Sequence, residues 1–127
     1  RLVDAFDADM PIVICDQLQI RQVVVNLIKN ASEALKDTPA PLIWIKAWQI
    51  DEEEVCVEVS DNGPGLNEAD GHSVFDAFYT SKSTGMGLGL SICQTIIDAH
   101  NGRIWTEKTP DRGAIFKFTL KTIPDLE

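Results

Sequence analysis

The run from Gly85 to Leu90 restricts this chain most. Gly85, Gly87 and Gly89 alternate with Met86, Leu88 and Leu90 and lead without a break into a helical pattern. Glycine has no Cβ, so such a run lets the backbone lie close against another group. A helix that opens there presents unpaired N–H groups and the positive end of its dipole, an arrangement that suits a phosphate. A second glycine-bearing turn, Asp61-Asn62-Gly63-Pro64-Gly65-Leu66, lies upstream. Between the two, residues 66–84 hold no long apolar pattern and are rich in small and polar residues. A stretch of that kind in a small domain is usually functional, and Phe75, Phe78 and Tyr79 could pin it down in one state.

A phosphate site must be reconciled with a net charge of −9. That charge argues against a nucleic-acid or anionic-membrane surface, which would need clustered Lys and Arg. A bound polyphosphate would instead depend on a metal ion, a few basic groups or backbone N–H donors. With 127 residues the chain makes one domain with one core. Cys15, Cys56 and Cys93 are far apart, with no CxxC, and read as buried thiols of a reducing compartment. No apolar run approaches the roughly 20 residues of a membrane span, and no signal peptide is visible. The first residue is Arg1 and not Met, which suggests a piece of a longer protein.

Residues 2–6 and 11–15 are short and apolar and read as a strand and a connector. Asp16 is placed as a helix N-cap, with Gln19 completing a capping box. The helix that follows runs to Leu35, with Ile20, Val24, Leu27, Ile28, Ala31 and Leu35 as its apolar stripe. Gln22, Asn26, Asn30 and Glu33 line another side. Asn is a mediocre helix former, so two of them one turn apart are either part of a solvated face or a pair of ligands. Residues 37–41 break the helix. Residues 42–50 and 54–60 form a hairpin, with Val55, Val57 and Val59 on one face and Cys56, Glu58 and Ser60 on the other. Trp44 and Trp48 read as sheet-face packing. A second helix spans Gly87 to His100, with Leu88, Ile92, Ile96 and Ala99 buried; His100 suits its dipole and Asn101-Gly102 stops it. Residues 103–107 and 114–120 form a second hairpin joined by a turn at Thr109 to Gly113, with Phe116, Phe118 and Leu120 pointing inward.

This order predicts an α+β fold: a two-layer sandwich with a mixed, mostly antiparallel sheet covered on one face by two helices. Three features converge on a ligand between the helices. The Asn26 and Asn30 carboxamides suit a Mg²⁺ that keeps several waters and also holds phosphates. Asp61, at the end of a strand, can accept a hydrogen bond from an exocyclic amine and so prefer adenine to guanine. The glycine run would take the phosphates.

These motifs also resemble a known family. From about Val13 to Leu120 the chain is similar to the catalytic, ATP-binding domain of bacterial sensor histidine kinases, in the superfamily that includes DNA gyrase, mismatch-repair ATPases and a heat-shock chaperone (the Bergerat ATP-binding fold). The N box matches Gln22 to Leu35, the first glycine box Asp61 to Leu66, the F box Val74 to Lys82 and the second glycine box Gly85 to Ile92. Four boxes in order make a specific match, and the stretch GMGLGLSIC…AHNGRIW most resembles the nitrogen-fixation and nitrogen-regulation sensors. The resemblance implies that Asn30 binds Mg²⁺, with Asn26 supporting the metal or the phosphates. It implies that Asp61 binds the adenine amine, and that Gly63 and Gly65 shape the base pocket. Residues 67–84 would be the ATP lid, Lys82 would reach the phosphates, and Gly85, Met86, Gly87, Leu88 and Gly89 would cradle them. The chain departs from the usual pattern at Met86, at Ala114, where several relatives have Thr, and at Glu33, where many have Lys or Arg.

In the ATPases of that superfamily a Glu one turn before the metal-binding Asn activates water. Here the position is Asn26, and an amide cannot accept a proton at neutral pH. The implied function is to hold Mg-ATP for transfer of its γ-phosphate to a histidine on a separate dimerisation domain, and indirectly to a response regulator. Neither His72 nor His100 lies in the sequence context of that histidine. The whole of residues 1–127 would be the catalytic domain, cytoplasmic and without direct membrane contact. The alternatives are a stand-alone anti-sigma-type Ser kinase switch and a module that binds nucleotide only to regulate a neighbour.

Overall fold

A computed structural model describes residues 2–6, 15–64, 86–107 and 113–122, with main chain alone for 2–6 and 86–88. The elements are β1 (Leu2–Phe6), α1 (Gln17–Ala34), β2 (Ile43–Gln49), β3 (Glu54–Asp61), α2 (Met86–Ala99), β4 (Ile104–Glu107) and β5 (Ile115–Lys121). They form one five-stranded sheet in the order β1-β2-β3-β5-β4. β1 runs parallel to β2, and the other neighbours are antiparallel. This is the mixed, mostly antiparallel sheet that the sequence predicts. The segments 11–14 and 109–112 lie outside the described residues.

Both helices pack on one face of the sheet. Val59, Phe116, Phe118 and Leu120 meet Leu27, Ala31, Leu90 and Ile97 in a single core. Burying each of these side chains other than Ala31 contributes about 1.5–3 kcal/mol, so the inward alternation of β3 and β5 fixes their register. The stripe on α1 is as expected with one addition, Val23, which is fully buried. The stripe on α2 is rotated from the expected one. Leu90, Cys93, Ile96 and Ile97 are buried, Ile92 is 42 % exposed, and Ala99 is exposed.

The opposite face of β3 is buried too, against the expectation of a simple alternation. Cys56, Glu58 and Ser60 are all covered, because β3 is central and long side chains flank it. Trp48 is the cross-strand neighbour of Cys56 and Trp44 that of Ser60. Lys117 reaches Glu107 at 2.9 Å and Glu58 at 3.9 Å, with its Nζ 5.5 Å from the Trp48 ring.

The helix ends are built by specific contacts. Asp16 Oδ1 accepts from Gln19 N at 3.1 Å, as an N-cap should. The reciprocal half of the capping box is absent, since the Asp16 N–H goes to His100 Nε2 at 2.9 Å. A backbone N–H can only donate, so Nε2 accepts, and the ring proton sits on Nδ1, 2.7 Å from Ile96 O. His100 therefore ties α2 to the start of α1 as a neutral ring and does not serve as a charge on the dipole. α2 closes in a Schellman turn: Asn101 N donates to Asp98 O and Gly102 N to Ile97 O. Asn101 takes the left-handed conformation (φ 60°).

Candidate functional site

Asp61 ends β3 on the helix-facing side of the sheet and is 1 % exposed. Its backbone is locked to the start of β5, with Asp61 N donating to Ala114 O at 3.1 Å and Gly113 N to Asp61 O at 3.0 Å. Its side-chain Oδ1 accepts from Gly63 N at 2.9 Å and from Ala114 N at 3.3 Å. Among the described residues nothing donates to Oδ2. Burial pushes the carboxyl above its ordinary value of 3.8, and the two backbone N–H groups oppose that rise. The main chain of Ala114 thus supplies a contact to this carboxylate.

Two glycines make room for this carboxylate. A Cβ on Gly113 would stand 2.2 Å from Asp61 Oδ1 and 2.5 Å from Gly63 N. A Cβ on Gly63 would stand 3.0 Å from the same oxygen and 3.3 Å from Ala34 O, so the turn nests against the end of α1. Asn62 fastens it further. Its Oδ1 accepts from Leu42 N at 2.8 Å and its Nδ2 donates to Ala40 O at 3.1 Å. The positioning roles of Gly113 and Asn62 are absent from the sequence reading. The signal available for Asn62 is its place between Asp61 and Gly63, where a short amide holds a turn.

The second part of the site lies where α1 faces the first turns of α2. Asn26 Nδ2 donates to Gly89 O at 3.4 Å. Among the described residues, a Cβ on Gly89 would meet only the Asn26 carboxamide, at 3.9 and 4.0 Å. Asn30 is half-buried one turn along α1. Met86, Gly87 and Leu88 form the first turn of α2. Gly65, Lys82, Gly85 and the segment 67–84 lie outside the described residues.

The described residues hold no cluster of three or more His, Cys, Asp or Glu side chains fit to bind a metal by themselves. What α1 offers is two carboxamides. Neutral oxygen donors of that kind fit a hard cation that also leans on phosphates and waters. No helix among the described residues is long and apolar enough to cross a membrane.

Comparison with known proteins agrees with this geometry. Residues 15–124 match the model of the histidine kinase-, DNA gyrase B- and HSP90-like ATPase family. The chain is 40 % identical over 116 residues to the sensor protein FixL of Bradyrhizobium diazoefficiens, covering 91 % of this chain and 23 % of that protein. It is 36 % identical over 112 residues to sporulation kinase E of Bacillus subtilis, covering 88 % of this chain and 15 % of that protein. The chain thus spans less than a quarter of either relative. Among solved structures, the catalytic domain of histidine kinase ThkA superposes with a TM-score of 0.80 at 35 % identity, over 97 % of this chain and 80 % of that one. With the family model matched over residues 15–124 and a histidine kinase catalytic domain superposing over nearly the whole chain, the chain belongs to the histidine kinase-, DNA gyrase B- and HSP90-like ATPase family.

Proposed function

We propose that this domain binds Mg-ATP between α1, α2 and the Asp61 turn, and donates the γ-phosphate to a histidine on a separate dimerisation domain that serves a response regulator. The observation that carries the reading is Asp61: a buried carboxylate held by two backbone N–H groups through one oxygen, with the other oxygen accepting nothing among the described residues. That second oxygen accepts from the exocyclic amine of adenine, and Gly63 and Gly65 leave room for the base. Asn30, with Asn26, presents amide oxygen toward the cation. Gly85 and the first residues of α2, Met86, Gly87, Leu88 and Gly89, give N–H donors to the phosphates, and Lys82 adds a positive charge from the lid, residues 67–84.

A bound Mg²⁺ would offset the charge of the phosphate oxygens and align them for transfer. Transfer of this kind is mainly positioning and charge stabilisation, so the chain's own part is to orient the nucleotide and exclude water. Two features favour a protein nucleophile over water. Asn26 is an amide and cannot serve as a general base. His100 has both ring nitrogens engaged in holding α2 to α1, and we take the acceptor histidine to lie on another domain, with residues 1–127 as the ATP-binding unit. We place the unit in the cytoplasm, where ATP is available.

The test is calorimetric titration with a non-hydrolysable ATP analogue, with and without Mg²⁺, followed by addition of a histidine-bearing dimerisation domain and ATP. Metal-dependent binding and phosphotransfer to that histidine are expected. Failure to bind under either condition overturns the reading. Binding with rapid hydrolysis and no transfer replaces it with an ATPase.

A further inference from the structure

Asn62 closes the last rung between β2 and β3 with its side chain. Its backbone N–H donates to Leu42 O at 3.3 Å, and its Oδ1 accepts from Leu42 N at 2.8 Å. The two residues stand one step beyond the Ile43–Asp61 pair of the ladder. A regular antiparallel rung would use the Asn62 carbonyl for the second bond. With the side chain in that place, the main chain can turn at once into Gly63, whose N–H reaches Asp61 Oδ1 at 2.9 Å. The nitrogen of the same amide reaches further out, and Nδ2 donates to Ala40 O at 3.1 Å. Ala40 has φ 49°, a left-handed conformation that a Cβ disfavours. It also precedes Pro41, whose ring narrows the choice of the residue before it. Backbone in such a state persists where its surroundings over-determine it. One amide side chain thus ties the mostly exposed connection between α1 and β2 to the residue beside Asp61.

We propose that Asn62 is a positioning residue for the base: it holds the strained backbone at Ala40 and the Asp61 turn as one piece, so that Asp61 meets adenine at a fixed place and the α1–β2 connection is coupled to the filling of the base site. The inference rests on the Mg-ATP reading above. The coupling is reciprocal. Whatever factor the Asn62 bridge adds to the affinity for the base, the base adds to the stability of the bridge.

The Leu42 N–H is the reporter, since it donates to Asn62 Oδ1. In the wild-type chain, saturating adenosine without metal should slow hydrogen exchange at Leu42 roughly three- to tenfold, the value of one hydrogen bond. The Gln19 amide, bonded to Asp16 at the far end of α1, should not respond. Asn62→Ala should lose adenosine affinity by a similar factor and narrow the preference for adenosine over guanosine. The gain in ATP-analogue affinity on adding Mg²⁺ should hold in that variant, because Asn26 and Asn30 lie on α1 and not on this turn. Adding Ala40→Gly to Asn62→Ala should restore part of the adenosine affinity, because glycine takes the left-handed conformation without strain. Unchanged adenosine affinity in Asn62→Ala, a loss shared equally with the Mg²⁺-dependent gain, or a double variant no better than Asn62→Ala would overturn the positioning role. If Asn62→Ala does not fold, exchange at Leu42 in the wild-type chain decides alone, and a rate indifferent to bound adenosine overturns the proposal. A wild-type chain that binds neither adenosine nor ATP analogue overturns the Mg-ATP reading and this proposal with it, whereas binding with an indifferent Leu42 amide overturns the proposal alone.

Discussion

Gly113 and Asp61 are in contact so close that the first atom of any side chain on Gly113 would fall 2.2 Å from the Asp61 carboxylate. The two are also joined by a backbone hydrogen bond of 3.0 Å. A glycine on one side of the sheet thus decides where a carboxylate on its neighbouring strand can stand.

Gly113→Ala should displace Asp61 or break its bonds to Gly63 and Ala114. Stability should fall by about 1–3 kcal/mol, as for other overpacked interiors, and affinity for adenine nucleotide by roughly tenfold or more. Calorimetry on a variant shown to be folded by circular dichroism checks this. Unchanged affinity would mean that Asp61 is not held by this contact.

Asp61→Asn should trade selectivity for stability. The folded chain holds the Asp61 proton more tightly than the unfolded chain, because burial raises its pKa above 3.8. As pH rises past 3.8 the unfolded state ionises first. The contribution of Asp61 to stability is thus greatest below 3.8 and is lost as pH climbs through the raised folded value. The Asn variant, neutral throughout, should melt a few degrees higher at neutral pH, where ~1 kcal/mol corresponds to roughly 3–5 °C. The difference should shrink on acidification. Thermal melts of the nucleotide-free chain across that range decide it, and a wild type that melts higher at pH 7 would contradict it.

The same proton should govern nucleotide binding. Protonated Asp61 has lost an acceptor for the adenine amine, so ATP affinity should fall on acidification with a midpoint above 3.8. The preference of ATP over GTP should fade in parallel and be absent in Asp61→Asn at every pH. Competition titrations at a series of pH values test both statements. A midpoint at or below 3.8 would detach Asp61 from the base.

Thiol chemistry offers a check on the core. Cys56 and Cys93 are buried, and burial pushes both thiols up to about 11. Cys15 is half-exposed. Since the thiolate is the reactive form, a maleimide should label one cysteine quickly in the native chain and three in denaturant. Mass spectrometry should place the fast label on Cys15. Rapid native labelling of Cys93 would show that the α1–α2 interface opens.

The turn after α2 should respond very unequally at adjacent positions. A Cβ on Gly102 would come within 2.1 Å of Thr119 O, a main-chain atom that cannot swing aside, so Gly102→Ala should cost about 1–3 kcal/mol. Asn101, at positive φ, should accept Gly with a change of less than about 1 kcal/mol. Urea unfolding of the two variants compares them directly.

Much of this was legible in the residues, and the misses have physical causes. The strands of β2, β3 and β5 were readable because alternation and β-branched content mark them clearly. The stripe of α2 was not. Apolar residues at Leu88, Leu90, Ile92, Cys93, Ile96, Ile97 and Ala99 surround most of the helix, so periodicity admits two phases and only packing against α1 selects Leu90, Cys93 and Ile97. Val23 was hidden for the same reason, in a run of three valines where any one could face inward. The Asp16 cap was visible, but the ring that takes its N–H comes from His100 at the other end of the chain, and no local rule reaches that far. At the candidate site, Asp61, Asn26 and Asn30 could be proposed from type and spacing. Gly113 and Asn62 could not, because their roles depend on which strands become neighbours.

One consequence follows from the bond between Asp61 and Gly113. The chain leaves β3 at Asp61 and enters β5 just after Gly113, so residues 62–112, which include α2 and the edge strand β4, run between two ends that are pinned together. Closing such a loop costs entropy that grows only with the logarithm of its length, about 0.6 kcal/mol for each doubling. The connection between β3 and α2 can therefore change in length at small entropic cost, while the pairing of β3 with β5 stays in register.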